Sequence, residues 1–360
     1  MFRAAPRASG YFRTNYEQDL VLVQTRTERI ALLVLGAILL AAPFFASPFA
    51  LDLACQVFLA SIGALSLMLL TGYAGQISLG HAGLIAAGAF TTGILTQEIH
   101  APFWLTLPAS AITGIVLGLI FGLPSLRLRG LYLAVSTLAL HFVVIYLGGE
   151  YETRRGFSTG ILIDPPSLFG FKLNGGRAWY FVLLAFAAAA LLVSINLLRS
   201  RSGRAWRAIH ARETVAEALG IGIAQYKLLA FVISSGMTAV AGCLFAYYRG
   251  FVSIEAFELF LSIQYVAMII IGGMGSLLGA LLGAAFVTIF PYAIEALLGL
   301  LPNARALAGD IFAVNYAAFG LVMILFLLLE PLGLVGIWRR VQNYFLLWPF
   351  KYRPLTGTRK

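Results

Sequence analysis

Apolar runs of about 20 residues recur along this chain with little between them, and each is long enough to cross about 30 Å of hydrocarbon. Only 11% of the residues are charged and 60% are hydrophobic, with a mean hydropathy of +0.90. A soluble fold cannot cover its surface with so little charge. The alternation of a membrane β-barrel is missing, so the runs read as helices, which satisfy their own backbone groups in lipid. The expected fold is an all-α polytopic membrane protein.

Ten spans are predicted, at about 30–49, 53–71, 77–96, 102–123, 130–148, 179–198, 228–248, 258–272, 276–298 and 311–330. The eighth is short and runs into a Gly-Gly-Met-Gly turn, so it reads either as a complete span or as a broken, re-entrant one. An even number places both ends of the chain on one side. That side would hold a tail at 1–29, a loop at 124–130, an insert at 199–227 and a tail at 331–360. Together they carry 19 of the 25 lysines and arginines, against 6 for the opposite loops. By the positive-inside rule both termini should be cytoplasmic. The net charge of +10 is therefore topological, and no nucleic-acid partner is expected. The first apolar run begins after about 29 polar residues and is long enough to span, so no cleavable signal is expected. Cys55 and Cys243 both lie in apolar runs and read as buried small residues.

Little else in the sequence offers chemistry. There is no Walker A motif, so nucleotide binding by that route is excluded. Ion-coupled transport calls for titratable groups in the path, yet Glu295 is the one acid clearly inside a span. His81 and His141 have no metal-ligand spacing around them and read as interhelical hydrogen-bonding groups or as pore-facing side chains. The outer loop 149–178 carries Glu150, Glu152, Arg154, Arg155, Asp164, Pro165 and Pro166, and reads as a contact surface or a lid.

Glycine clusters within spans, at Gly72, Gly75, Gly80, Gly83 and Gly88, and again from Gly272 to Gly283. Close helix packing accounts for such residues. Residues 75–90 also look like residues 275–286, which suggests an internal duplication with a broken helix in each half. In transporters such breaks mark the translocation path. Gly72, Gly75, Gln76, Ser78, Gly80, His81, Gly272, Gly273 and Gly275 are accordingly the candidate path residues.

The insert RSRSGRAWRAIHARETVAEALGIGIAQYK, Arg199 to Lys227, is the only long charged interruption in the second half. Ser202 is a plausible N-cap and Gly220 a plausible C-terminal cap of a short amphipathic helix. Trp206, Ile209, Ala216 and Leu219 fall near one face, and Arg204, Arg207, His210 and Glu217 on the other. Such a helix either rests on lipid headgroups or docks into a groove on a soluble partner.

Three stretches then come together: GYAGQISLGHAG at 72–83, LRLRGLYLAVSTLAL at 126–140, and 203–246 running into 262–285. Over about 30–330 the chain resembles the permease subunits of branched-chain amino acid ABC importers, of the M type. The resemblance implies the larger, type II-like class of about ten helices. It also implies a second, H-type permease, two cytoplasmic ATPase subunits and an external solute-binding protein, in a bacterial inner membrane. Glu217-Ala218-Leu219-Gly220 is similar to the family's Glu-Ala-Ala…Gly pattern, with leucine in place of the second alanine. On that resemblance Arg204, Trp206, Arg207, Ile209, Ala216, Glu217, Ala218 and Gly220 become the candidate ATPase-coupling residues, and no cofactor is expected on this chain. The resemblance implies transport of branched-chain or related hydrophobic amino acids. Urea, short amides and aromatic or other carboxylates are alternatives within the family, because Arg154 and Arg155 intrude on its Thr/Gly-rich outer loop. A passive channel and a membrane enzyme are the rivals outside it.

Overall fold

The computed structural model describes residues 26–126, 130–157, 160–168, 171–173, 175–299, 311–330 and 332–347. The expected tail at 1–29 falls almost entirely outside them, as do Arg127, Arg129 and Arg305. The chain is a helical bundle. Its helices are α1 (Arg26–Phe45), α2 (Pro48–Leu67), α3 (His81–Ile99), α4 (Phe103–Ser125), α5 (Leu131–Arg155) and α6 (Gly176–Arg199). Two short helices follow, α7 (Arg201–Ala211) and α8 (Glu213–Ala218). The second half adds α9 (Ile223–Arg249), α10 (Leu259–Gly272), α11 (Leu277–Gly299), α12 (Ile311–Leu329) and α13 (Gly333–Leu347).

A helix stands at each predicted span, but seven of them are long and apolar enough to cross a membrane, or eight if α12 and α13 form one span bent by 51°. The shortfall from ten has physical reasons. The apolar part of α1 is short, Arg29–Phe45. Polar Thr91, Thr92, Thr96, Gln97 and Glu98 dilute α3, which is instead buried over most of its length. The short eighth run is extended by a 3-10 turn, Ile254–Phe257, and as Ile254–Gly272 it is one of the seven. Residues 333–347, expected as tail, form the amphipathic helix α13.

Local chemistry fixes the ends. Ser47 caps α2 through Ala50 N–H, with Pro48 in the first turn where no donor is needed. α5 closes on Gly156 and α9 on Gly250, both left-handed. The loop after α5 folds into two short antiparallel ribbons. β1 (Ile161–Leu162) pairs with β4 (Phe251–Val252), and β2 (Ser167–Leu168) pairs with β3 (Phe171–Lys172).

These contacts sort the loops into two ends. The hairpin end gathers the ribbons and the 3-10 turn. The insert end gathers the α2–α3 link, α7 and α8, the α10–α11 link and the start of α13. The core lies between them, where α9 packs against α3 and α4, and α2 packs against α6 and α11. α3 and α9 cross closely through small residues: Gly88 faces the backbone of Ala239, and Gly242 faces that of Ile85.

Candidate functional site: two helix breaks joined to a basic insert

α2 does not end as an ordinary α-helix. It widens into a π-helical turn, Met68–Tyr73, and then runs irregularly from Ala74 to Gly80 before α3 begins. Such widened turns recur at functional sites. The segment is held by named bonds. Thr71 Oγ1 donates to Gln76 O at 2.9 Å, and Gln76 Nε2 donates to Lys227 O at 2.9 Å. Thr137 Oγ1 accepts from Leu79 N–H, and Ser262 Oγ accepts from Ala82 N–H, both at 2.9 Å. The first bond is internal, and the other three each reach a different helix, so the break is braced by α5, α9 and α10.

The second break, Gly273 to Ser276, links α10 to α11. The two breaks meet. Gly275 N–H points at Met68 Sδ, 3.3 Å away, and a Cβ on Gly72 would stand 3.0 Å from Gly275 N. α13 closes over the second break, where Gly273 lies against Leu332 O and Gly333 against Ile271 O. The two breaks therefore form one junction at the insert end, made on the first side by Met68 and Gly72 just before the look-alike stretch 75–90.

The candidate path residues are thus brought together, but as packing surfaces: Gln76, Ser78 and His81 are buried, and the glycines serve close approach. None of these residues lines either of two cavities found among the described residues. His81 lies against Tyr265, with ring centroids 4.7 Å apart. The His81 ring makes an interhelical hydrogen bond to the backbone of Gly63 on α2, as expected, while His81 Nε2 and His141 Nδ1 meet no partner among the described residues.

The insert is two helices where one was expected. Arg212 is extended, φ −160° and ψ 113°, and separates α7 from α8. The N-cap position is Ser200, while Ser202 sits within the first turn. Gly220 does end the second helix, with φ +80°; its N–H donates to Glu217 O and Ile221 N–H to Ala216 O. Trp206 is fully buried and donates from Nε1 to Tyr226 O at 2.9 Å. Ile209 and Ala216 are buried beside it. Leu219, expected on the same face, is instead 74% exposed, because the break at Arg212 turns α8 away from the α7 register.

Of the candidate coupling residues, then, Trp206, Ile209 and Ala216 fasten the insert to its own bundle. Arg204, Glu217, Ala218 and Gly220 are exposed. Arg207 is half-buried and donates to Leu198 O at 2.8 Å and Gly203 O at 3.1 Å, stiffening the α6–α7 corner. Lys227 Nζ pairs with Glu213 Oε1 at 2.5 Å, tying α8 to the first turn of α9.

Two residues sequence reasoning assigned otherwise prove central. His210, placed on the outer face of the insert, lies on the first break: a Cβ on Gly75 would stand 2.7 Å from its Nδ1. Lys227, read as the edge of a span, receives Gln76 through its carbonyl and Glu213 through its ammonium. Charge spacing on one helix carries no signal for such contacts between elements 135 residues apart.

Toward the hairpin end lie the two cavities. One, about 410 Å³, includes Asp52, Trp179, Tyr248 and Arg249 in its wall. The other, about 460 Å³, lies among α2, α9, α10, α11 and α12 and is floored by Tyr265 and Met268. Hollows at one end and a braced junction of broken helices at the other, within one helical bundle, are features that polytopic membrane transport proteins share.

Comparison with known proteins gives the family. The model described as "Branched-chain amino acid transport system / permease component" matches residues 49–328, and the chain belongs to that family. It is 31% identical to the high-affinity branched-chain amino acid transport system permease protein LivM of Salmonella typhimurium (strain LT2), over 88% of this chain and 76% of the relative. It is 32% identical to the protein of the same name from Escherichia coli (strain K12), over 86% and 75%. It is also 26% identical to the probable branched-chain amino acid transport permease protein LivH of Methanocaldococcus jannaschii, over 67% and 77%. No solved structure matches the chain.

Proposed function

We propose that this chain is one permease subunit of an ATP-driven importer of branched-chain and related hydrophobic amino acids. The carrying observation is the contact of His210, on the insert, with Gly75, in the first helix break, which itself abuts the second break. A force on the exposed side of α7 and α8 reaches the junction through this contact, and packed junctions of this kind switch between discrete arrangements. The exposed Arg204, Glu217, Ala218 and Gly220 are the docking surface for an ATPase subunit. Trp206, Arg207, Ile209 and Ala216 transmit the displacement inward.

The similarity to proteins named LivM and LivH supports the solute class and a second, paralogous permease beside this one. Two cytoplasmic ATPase subunits hydrolyse ATP, an external binding protein delivers solute at the hairpin end, and this chain binds no cofactor. The distribution of Lys and Arg supports an inner-membrane orientation with both termini cytoplasmic. Ten helices then traverse or pack within the bilayer in the larger, type II-like arrangement, with α1, α3 and α12 completing the seven evident spans.

Uptake by the reconstituted complex tests this. Arg204 or Glu217 substitutions that preserve assembly should abolish ATP-driven uptake and the stimulation of ATPase activity by loaded binding protein. Intact uptake and stimulation in both variants would refute the coupling role, and leucine entry at equal rates without ATP would refute powered import.

A further inference from the structure

Glu295 is the only charged residue in α11, and Arg249 ends α9. Both side chains are exposed, and so open to a solute. Both line the 460 Å³ cavity, and Arg249 also lines the neighbouring 410 Å³ cavity, so it stands where the two hollows meet. A second acceptor lines the same cavity: Asn315 Oδ1 is buried without a hydrogen-bond partner among the described residues. A third comes from the backbone. Pro291 cannot donate an N–H to the carbonyl of Val287 one turn earlier, and both residues line the same cavity. The remaining wall is apolar, with Phe260, Met268 and Phe319.

A lining that holds one cation, one carboxylate, two neutral acceptors and aromatic rings matches a small zwitterion with an apolar side chain. We propose that this cavity is a resting site for a hydrophobic amino acid during passage. Arg249 holds the α-carboxylate, Glu295 and Asn315 hold the α-ammonium, and the side chain packs on Phe260 and Phe319. The proposal rests on the import reading above and deepens it by naming the groups that read the solute. The apolar wall cannot separate leucine from valine by much, since one methylene is a weak discriminator. The charged groups favour solutes that carry both charges, because each charge on the solute gains a charged hydrogen bond. The site lies apart from the helix breaks, with Tyr265 between them: its ring touches His81 on one side and floors the cavity on the other.

The test uses the full complex in detergent without its binding protein. Radiolabelled leucine is bound at equilibrium and competed with 4-methylpentanoate, which lacks the ammonium, and with 3-methylbutylamine, which lacks the carboxylate. The wild-type complex should bind leucine in preference to either analogue. Glu295→Gln and Arg249→Gln should each weaken leucine by about 10- to 100-fold, in line with the loss of one charged hydrogen bond. Each should also narrow the gap to the analogue that lacks the matching charge. Glu295→Asp should restore part of the preference. Where a variant does not assemble, water-soluble carbodiimide on the wild-type complex reads the same carboxylate, and leucine should protect Glu295. Unchanged analogue preference in the variants, or modification of Glu295 indifferent to leucine, overturns the site while leaving import intact. A wild-type complex that imports no leucine with its binding protein overturns the import reading and the site together.

Discussion

Gly75→Ala probes the link between insert and helix break. Gly75 has φ +72°, and an added Cβ would stand 2.7 Å from His210 Nδ1, 3.5 Å from its Cγ and 3.6 Å from its Cα. Two penalties follow. A left-handed alanine costs about 1–2 kcal/mol. The imidazole must also retreat by about 1 Å to reach an ordinary carbon contact of about 3.5–4.0 Å. Gly220→Ala separates the two. Gly220 has φ +80° in the same insert, yet nothing lies within 4 Å of its would-be Cβ, so it carries the strain without the clash. Gly75→Ala should thus lose binding-protein-stimulated ATPase activity and uptake about tenfold relative to Gly220→Ala, equivalent to about 1.4 kcal/mol at the junction. Adding His210→Ala leaves only the Cα at 3.6 Å, so the double variant should regain part of the loss. The assay is stimulated ATPase activity and leucine uptake per assembled complex in proteoliposomes. Equal behaviour of Gly75→Ala and Gly220→Ala, or no rescue by His210→Ala, would show that this contact does not carry the coupling.

Orientation is open to labelling, because both native cysteines are buried and silent. Leu219→Cys (74% exposed) should react with an impermeant maleimide only in inside-out vesicles, and Leu162→Cys (70% exposed) only in right-side-out cells. Trp206→Ala, at a fully buried side chain, should cost about 3–5 kcal/mol and lower the temperature at which the complex stays monodisperse. Leu219→Ala in the same insert should shift it little while weakening ATPase docking. Gly88→Ala brings a methyl to 1.9 Å from Ala239 O, and the α3–α9 crossing should open by overpacking, at a cost of about 1–3 kcal/mol or more; expression of folded complex reads it.

The positions of the helices were legible along the chain because a helix in lipid needs only its own residues to satisfy its backbone, and hydropathy reports this locally. Gly220 as a helix stop and the basic insert as a helical element were legible for the same reason. The interruption at Arg212 was not, since Arg212 and Glu213 differ little in helix preference from their neighbours and the turn serves to seat Trp206 under Tyr226. The amphipathic pattern was present in α13 as well, but 331–360 read as tail because its apolar stretch is short and basic.

Composition and order of residues determined that this chain is a multi-pass helical membrane protein, where its glycine breaks lie, and which loop is charged. They also carried the family. Only the tertiary structure decided which residues meet. It put Gly72 against Gly275, His210 on Gly75, and Arg249 and Glu295 on one cavity. It also set most of the candidate path glycines at a joint between helices. The reason is geometric. Glycine is chosen equally for a pore that needs backbone and for a joint that needs closeness, and the two differ only in what the partner helix presents across the gap.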